Sequence, residues 1–202
     1  MRITVFGAAG GVGSRVVAEA SRRGHDVVAV SRKARAGFQV GDARVPADVT
    51  RLGTGQDVVI SATRPVDGQE RELAVAAKAL LEGVRPTGAR LLLVGGASSL
   101  VRPDGVLVQD APDFPASLRP IALACTAQLD AVREEVAVDW AYLSPPVVLE
   151  PGTRTGAYRL GRDDLVVDGD GNSSVSLEDL AVALLDEVER PRHHRVRFTV
   201  GY

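Results

Sequence analysis

Ile3-Thr4-Val5-Phe6-Gly7-Ala8-Ala9-Gly10-Gly11-Val12-Gly13 is an apolar, partly β-branched run that breaks into glycines spaced three apart. Ile3 to Phe6 reads as a buried strand. Apolar residues at Val12, Val16 and Ala20 then carry helical spacing as far as Arg23, and Gly24 is placed to end that helix. A strand, a G-x-x-G-x-x-G turn and a helix in immediate succession form a phosphate-binding unit. The first glycine permits the tight turn, the second lets backbone approach a pyrophosphate, and the third lets helix and strand pack closely. N–H groups left free at the helix start, together with its dipole, favour a bound phosphate. The stretch therefore implies a dinucleotide held around Gly7, Ala9, Gly10, Gly11, Val12 and Gly13.

Strand and helix signals alternate outward from this unit. Val27 to Val30 is a second strand, and Phe38 to Val40 a short third one inside a region, 34–49, of weak signal. Asp57 to Ala62 is a fourth strand and Gln69 to Glu82 an alanine- and leucine-rich helix. Arg90 to Val94 is a fifth strand ending at Gly95-Gly96. Four prolines mark 103–120 as loop. A helix over Ile121 to Val138 and a sixth strand over Asp139 to Leu143 follow. Beyond Pro151 the pattern changes: short strands are expected at Ala157–Leu160 and Leu165–Val167. Ser176 should cap a helix running to about Glu189, and Arg195 to Val200 alternates like a last strand. The expectation is one domain, 1–202, of Rossmann-type α/β fold. Its sheet is mostly parallel with helices on both faces, and 151–202 forms a small C-terminal lobe on the substrate side.

Composition narrows the function classes. With 45% hydrophobic and 25% charged residues the chain is ordinary globular material, and a net charge of −2 offers no footprint for nucleic acid or an anionic membrane. No apolar run approaches the roughly 20 residues that span a bilayer. The single cysteine, Cys125, excludes an internal disulfide and fits a reducing compartment. Without a leader pattern at the N-terminus, the reading is a cytoplasmic protein, monomer or homodimer, acting on a small molecule. Three histidines, His25, His193 and His194, do not suggest a metal site.

The end of the second strand bears on which nicotinamide cofactor would fit. NAD sites place a carboxylate about 20 residues beyond the glycines, to accept from the ribose 2′-hydroxyl. No carboxylate lies between Asp26 and Asp42, and Ser31-Arg32-Lys33 occupies the position instead. Arginine's planar fork suits a 2′-phosphate, so NADP(H) is favoured over NAD(H); the alternative is that these residues form a solvated turn. Asp42, with Ala43 beside it, is a candidate adenine contact or else a turn-forming aspartate.

These residues resemble the atypical short-chain dehydrogenase/reductases, in particular the NmrA-like and biliverdin-reductase-B-like NAD(P)H-binding group. The resemblance runs through Val5–Gly10, Gly24–Arg32, Gly41-Asp42, Asp57–Ala62, Leu92–Ala97, Asp139-Trp140 with Ser144-Pro145-Pro146, Pro151–Arg159 and Ser176–Ala181. It implies that Gly7, Gly10 and Gly13 hold the pyrophosphate and Arg32 the 2′-phosphate. It further implies that Asp42 meets adenine, Ala62 and Thr63 line the ribose, and Gly95, Gly96 and the residues up to Ser98 flank the nicotinamide. Pro145 and Pro146 would shape the far wall of that pocket. Arg154 and Tyr158 enter as substrate-side candidates on the resemblance alone.

The chemistry departs from the wider family. Tyr-x-x-x-Lys is absent: four residues beyond Tyr142 is Pro146, beyond Tyr158 is Arg162, and Tyr202 is terminal. Between Ile121 and Leu129, where the pair would fall, the polar side chains are Cys125, Thr126 and Gln128. Ser98 and Ser99 are the candidate contacts to a substrate carbonyl, or else helix-capping and loop residues. Cys125 reads as a buried structural thiol and Tyr142 as a strand-end packing residue. The functional reading is an NAD(P)H-dependent reductase of a conjugated or flavin-like acceptor. A non-catalytic NADP(H) sensor of the NmrA type and an epimerase or dehydratase with tightly held NAD stand as alternatives.

Overall fold

The computed structural model describes residues 1–202. Its main sheet has eight strands in the order β3-β2-β1-β4-β5-β6-β10-β8. They are β1 (Arg2–Phe6), β2 (Asp26–Ser31), β3 (Gln39–Val40), β4 (Val58–Ser61), β5 (Arg90–Val94), β6 (Trp140–Ser144), β8 (Arg159–Gly161) and β10 (Val196–Gly201). All neighbours pair parallel except β8, which runs antiparallel to β10. A two-stranded parallel ribbon, β7 (Val148–Glu150) with β9 (Ser174–Ser176), lies apart from it.

Strands buried on both faces read as apolar runs, and β5 (RLLLV) shows why. Leu92 and Val94 enter the core layer shared with Val16 and Ala20 of α1 (Gly11–Arg22) and Leu180 and Leu184 of α5 (Leu177–Glu189). Leu91 and Leu93 enter the opposite layer, with Val49 of α2 (Pro46–Gly53), Leu80 of α3 (Glu72–Val84) and Leu129 of α4 (Arg119–Arg133). Helices therefore cover both faces, as expected. The order β3-β2-β1-β4-β5-β6 reverses direction beside β1, and a ligand crevice opens there at the carboxyl ends of the strands.

Several local expectations need correction. The weak region 34–49 runs into a helix, α2, which starts on Pro46; proline at the first helical position suits that start. The helix expected to reach Val138 stops at Arg133, where Glu135 accepts the backbone N–H groups of Ala137 and Val138 and turns the chain into β6. The segment 103–120 holds two short 3₁₀ turns, Val108–Asp110 and Ala116–Leu118. No strand forms over 165–167. Segment 151–202 contributes β8 and β10 to the main sheet, and α5 lies against α1. Ser176 caps α5 as expected, its hydroxyl accepting from the Asp179 N–H at 3.0 Å. His193 is buried. It hydrogen-bonds Glu187 at 2.8 Å and stacks on Phe198 with ring centroids 4.4 Å apart.

Candidate functional site

A cleft of about 1410 Å³ opens at the crevice predicted by the strand order. Its floor is the turn after β1. Gly7 sits at φ +77°, and a Cβ there would collide with the carbonyl oxygen of Ala62 at the end of β4. A Cβ on Gly13 would collide with the carbonyl of Gly7, so the third glycine lets α1 close against the turn. Gly10 caps α1 with no side-chain bond, and the first turn carries no acidic residue. The N–H groups at this helix start have no side-chain acceptor, which gives the local positive end of the dipole an anion-binding character.

Of the residues expected around a dinucleotide, the cleft is lined by Gly7, Ala9, Gly10, Gly11, Val12, Ser31, Arg32, Lys33, Asp42, Ala43, Ala62, Thr63, Gly95, Gly96 and Pro145. Gly13 lies beneath the turn and does not reach the cleft. Arg32 and Lys33, past the end of β2, have no side-chain hydrogen bond or ion pair in the protein, and the Ser31 hydroxyl accepts the Lys33 N–H at 3.3 Å. Arg64 is likewise unpaired on the loop after β4. The carboxylates of the cleft are Asp42 and Glu72, and both are held by Arg44. Hydrogen bonds from Arg44 keep the Asp42 carboxyl below the usual carboxylate range. The Asp42 oxygen also accepts the Arg44 N–H at 2.9 Å, the turn role foreseen as its alternative. The unpaired charge facing the cleft is therefore positive.

The other end of the cleft, past β5, is built by close approach. A Cβ on Gly95 would overlap the phenol of Tyr142, and one on Gly96 would lie 2.8 Å from the Cys125 sulfur. Tyr142 is 1% exposed, in the core rather than at a strand end, and its hydroxyl donates to Gln128 Oε1 at 2.9 Å, with the Cys125 carbonyl at 3.2 Å. Burial pushes its pKa far above that of a free phenol. Burial likewise pushes the Cys125 thiol up to about 11, so it stays neutral at physiological pH. Along α4, Ile121, Cys125 and Gln128 face the cleft together with Leu118, at helical spacing.

The candidate polar contacts fare unequally. Ser98 lines the cleft, yet its hydroxyl donates to the Ala122 carbonyl at 3.0 Å. Ser99 lies off the cleft, where its oxygen accepts from Arg197 at 2.8 Å. Arg154 and Tyr158 also lie away from it, which corrects their placement on the substrate side. Arg154 forms a two-pronged pair with Glu19 of α1 at 2.9 and 3.0 Å, and Tyr158 donates to Asp186 of α5 at 2.5 Å. Both brace the C-terminal segment against α1 and α5. The sequence reading passed over Arg64, Phe114, Leu118, Ile121, Val147 and Leu177, which complete the wall. For Ile121, Cys125 and Gln128 the signal was present, a stripe at i, i+4 and i+7; for Arg64, Val147 and Leu177 none was, because their convergence depends on tertiary packing.

Comparison with known proteins agrees with this geometry. Residues 7–191 match a family model described as NAD(P)H-binding. The uncharacterized protein YwnB of Bacillus subtilis is 35% identical over 209 residues, covering 99% of this chain and 98% of that protein. Among solved structures, a candidate exported protein of Burkholderia pseudomallei is 39% identical with a TM-score of 0.91, covering 100% of each chain. A candidate epimerase of Bacteroides thetaiotaomicron is 37% identical at TM-score 0.89, covering 100% of this chain and 96% of that one. A candidate NADH-flavin reductase of Streptococcus pneumoniae TIGR4 is 30% identical at TM-score 0.89, covering 100% and 99%.

Proposed function

Given that the chain belongs to the NAD(P)H-binding family, among the atypical short-chain dehydrogenase/reductases, we propose that it is an NADPH-preferring reductase of a small conjugated or flavin-like acceptor. The observation that carries the cofactor preference is the pair Arg32 and Lys33, unpaired beside the cleft at the end of β2, with no carboxylate free to take a ribose 2′-hydroxyl. The turn fits a pyrophosphate because α1 starts at Gly11 with no side-chain cap and no acidic residue in its first turn, which leaves its N–H groups for an anion. Gly7, Gly10 and Gly11 would hold the pyrophosphate, Arg32 the 2′-phosphate, and the Gly95-Gly96 end the nicotinamide. When bound, the cofactor supplies a hydride.

The nature of the acceptor follows from what the nicotinamide end lacks. Ser98 is committed to the Ala122 carbonyl, Cys125 is held neutral, and Tyr142 is buried behind Gly95. No side chain there serves as a general acid near neutral pH. The chain's contribution is orientation of the acceptor by Phe114, Leu118, Ile121 and Pro145, and water entering the open cleft supplies the proton. That suits acceptors in which hydride transfer leaves a delocalised anion that needs no general acid, such as flavins, quinones and enones, over simple ketones. The cleft's about 1410 Å³ also exceeds the roughly 300–1000 Å³ usual for one drug-sized ligand, leaving room for an acceptor beside the cofactor.

Calorimetric titration with NADPH and NADH in one buffer tests the reading. NADPH is expected to bind at least tenfold tighter, since a charge-assisted bond to the 2′-phosphate contributes about 1.5–3 kcal/mol. Equal affinities would refute the preference. The missing proton donor also favours a second reading, a cofactor sensor without turnover. Loss of NADPH absorbance on adding riboflavin or a quinone decides between them.

A further inference from the structure

Gln128 is 1% exposed, yet its amide is only half used. The Tyr142 hydroxyl donates to Oε1 at 2.9 Å, with the Cys125 carbonyl as a second acceptor at 3.2 Å. Oε1 thus faces Tyr142, and the NH₂ faces away. Nε2 donates to no group of the protein, and the residue lines the cleft beside Gly96, Cys125 and Ile121. A primary amide in the cleft wall whose two N–H donors have no partner within the protein can recognise an acceptor oxygen in the cleft.

From this geometry, and resting on the reductase reading above, we propose that Gln128 Nε2 binds the carbonyl oxygen of the hydride acceptor, with Tyr142 as the residue that positions the amide. The acceptor class is a planar molecule whose carbonyl is conjugated to the bond being reduced. Such a molecule takes a hydride at the far end of the conjugated system from the reduced nicotinamide, which is thereby oxidised. The displaced π pair moves onto the carbonyl oxygen, and one proton from water completes the two-electron reduction. Negative charge builds on the oxygen that Gln128 contacts, so the hydrogen bond from Nε2 strengthens as the reaction proceeds. Gln128 donates a hydrogen bond and transfers no proton. Its neighbours Leu118, Ile121 and Phe114 provide apolar contact for the ring system.

The test is a binding measurement on NADP⁺-saturated protein, which does not turn over. Riboflavin, which carries ring carbonyls, and anilinonaphthalene sulfonate, an aromatic without one, are titrated by fluorescence into wild type and Gln128→Met. Met keeps the length of the side chain and removes the donors. Riboflavin affinity is expected to fall about fivefold to tenfold, the size of one neutral hydrogen bond, while the sulfonate binds unchanged. Tyr142→Phe should weaken riboflavin by a smaller factor, because the amide is then free to rotate. In wild type labelled with ¹⁵N-glutamine, riboflavin should shift one side-chain NH₂ pair, and this readout needs no variant. Equal loss for both probes, no loss for riboflavin, no riboflavin binding to wild type, or a loss confined to NADP⁺ would each overturn the assignment to the acceptor. If wild type fails to bind NADP⁺ or NADPH at all, the reductase reading falls with it, and a separate cofactor titration distinguishes that outcome.

Discussion

Gly95 passes so close to the phenol of Tyr142 that a methyl group on its Cα would overlap the hydroxyl oxygen. The last residue before the bend out of β5 is thus fitted to a side chain of β6, and the phenol in turn sets the amide of Gln128 on α4. Strand end, core and cleft wall move together. Gly95→Ala should destabilise the fold by about 2 kcal/mol or more, the usual cost of overpacking a filled site. Thermal unfolding is expected to show a drop of roughly 5 °C, and Gly95→Ala combined with Tyr142→Leu should cost less than the two changes added.

Arg32→Ala should weaken NADPH binding by about tenfold or more while leaving NADH within twofold, because only the 2′-phosphate loses its partner. The melting temperature without cofactor should stay unchanged, since the guanidinium bonds to nothing in the protein. Calorimetry on the variant checks both statements, and equal loss for the two cofactors would contradict this role for Arg32.

Gly7→Ala should abolish binding of either cofactor. The residue stands at φ +77°, and its Cβ would strike the Ala62 carbonyl, so the turn must open to admit it. Loss of binding with a folded circular dichroism spectrum is the expected result.

Glu19 should give the acid limb of stability a visible component. Its side chain bonds Arg154, Arg22 and Arg23, which hold the carboxyl far below its ordinary 4.5. In the unfolded chain the group takes a proton as pH falls through about 4.5, whereas in the folded protein it stays ionised. The stabilisation is therefore complete above that pH and is lost progressively below it. Glu19→Gln should lower stability at pH 7 by about 2 kcal/mol, the scale of a charge-assisted bond, and should flatten the dependence between pH 5 and 3. Melting temperatures across that range test it.

Cys125 should alkylate slowly. With its pKa pushed up to about 11 by burial, the thiolate fraction at pH 7 is minute. Reaction with iodoacetamide should accelerate only above pH 9, and Cys125→Ala should retain cofactor binding.

The sheet and the glycine turn were legible in the residues because each is a local matter: apolar runs for β1, β4 and β5, and a turn that only glycine can make. Arg32 and Lys33 were legible for the same reason, lying at a fixed distance from that turn. Arg154 and Tyr158 misled because arginine and tyrosine suit a binding wall and a brace equally well, and only the positions of Glu19 and Asp186 decide between them. The ribbon of β7 and β9 escaped notice because three-residue strands carry too short a pattern. Gln128 was visible as a polar residue on α4; that its oxygen is occupied and its nitrogen is not depends on a tyrosine 14 residues away.

The place of β10 has a consequence for how the protein is made. The strand is made after both β6 and β8, yet it lies between them in the sheet. Until Val196–Gly201 leaves the ribosome, β6 presents an open, apolar edge that invites mispairing with other chains. Gly11 at the start of the dinucleotide turn lies against Leu177, so the first helix also awaits the last quarter of the chain for a neighbour. Folding is thus set by contacts between opposite ends of the sequence, a slow, high-contact-order route. A ribosome stalled before residue 196 would hold a chain with every glycine of its cofactor turn in place and an unfinished sheet edge beside it.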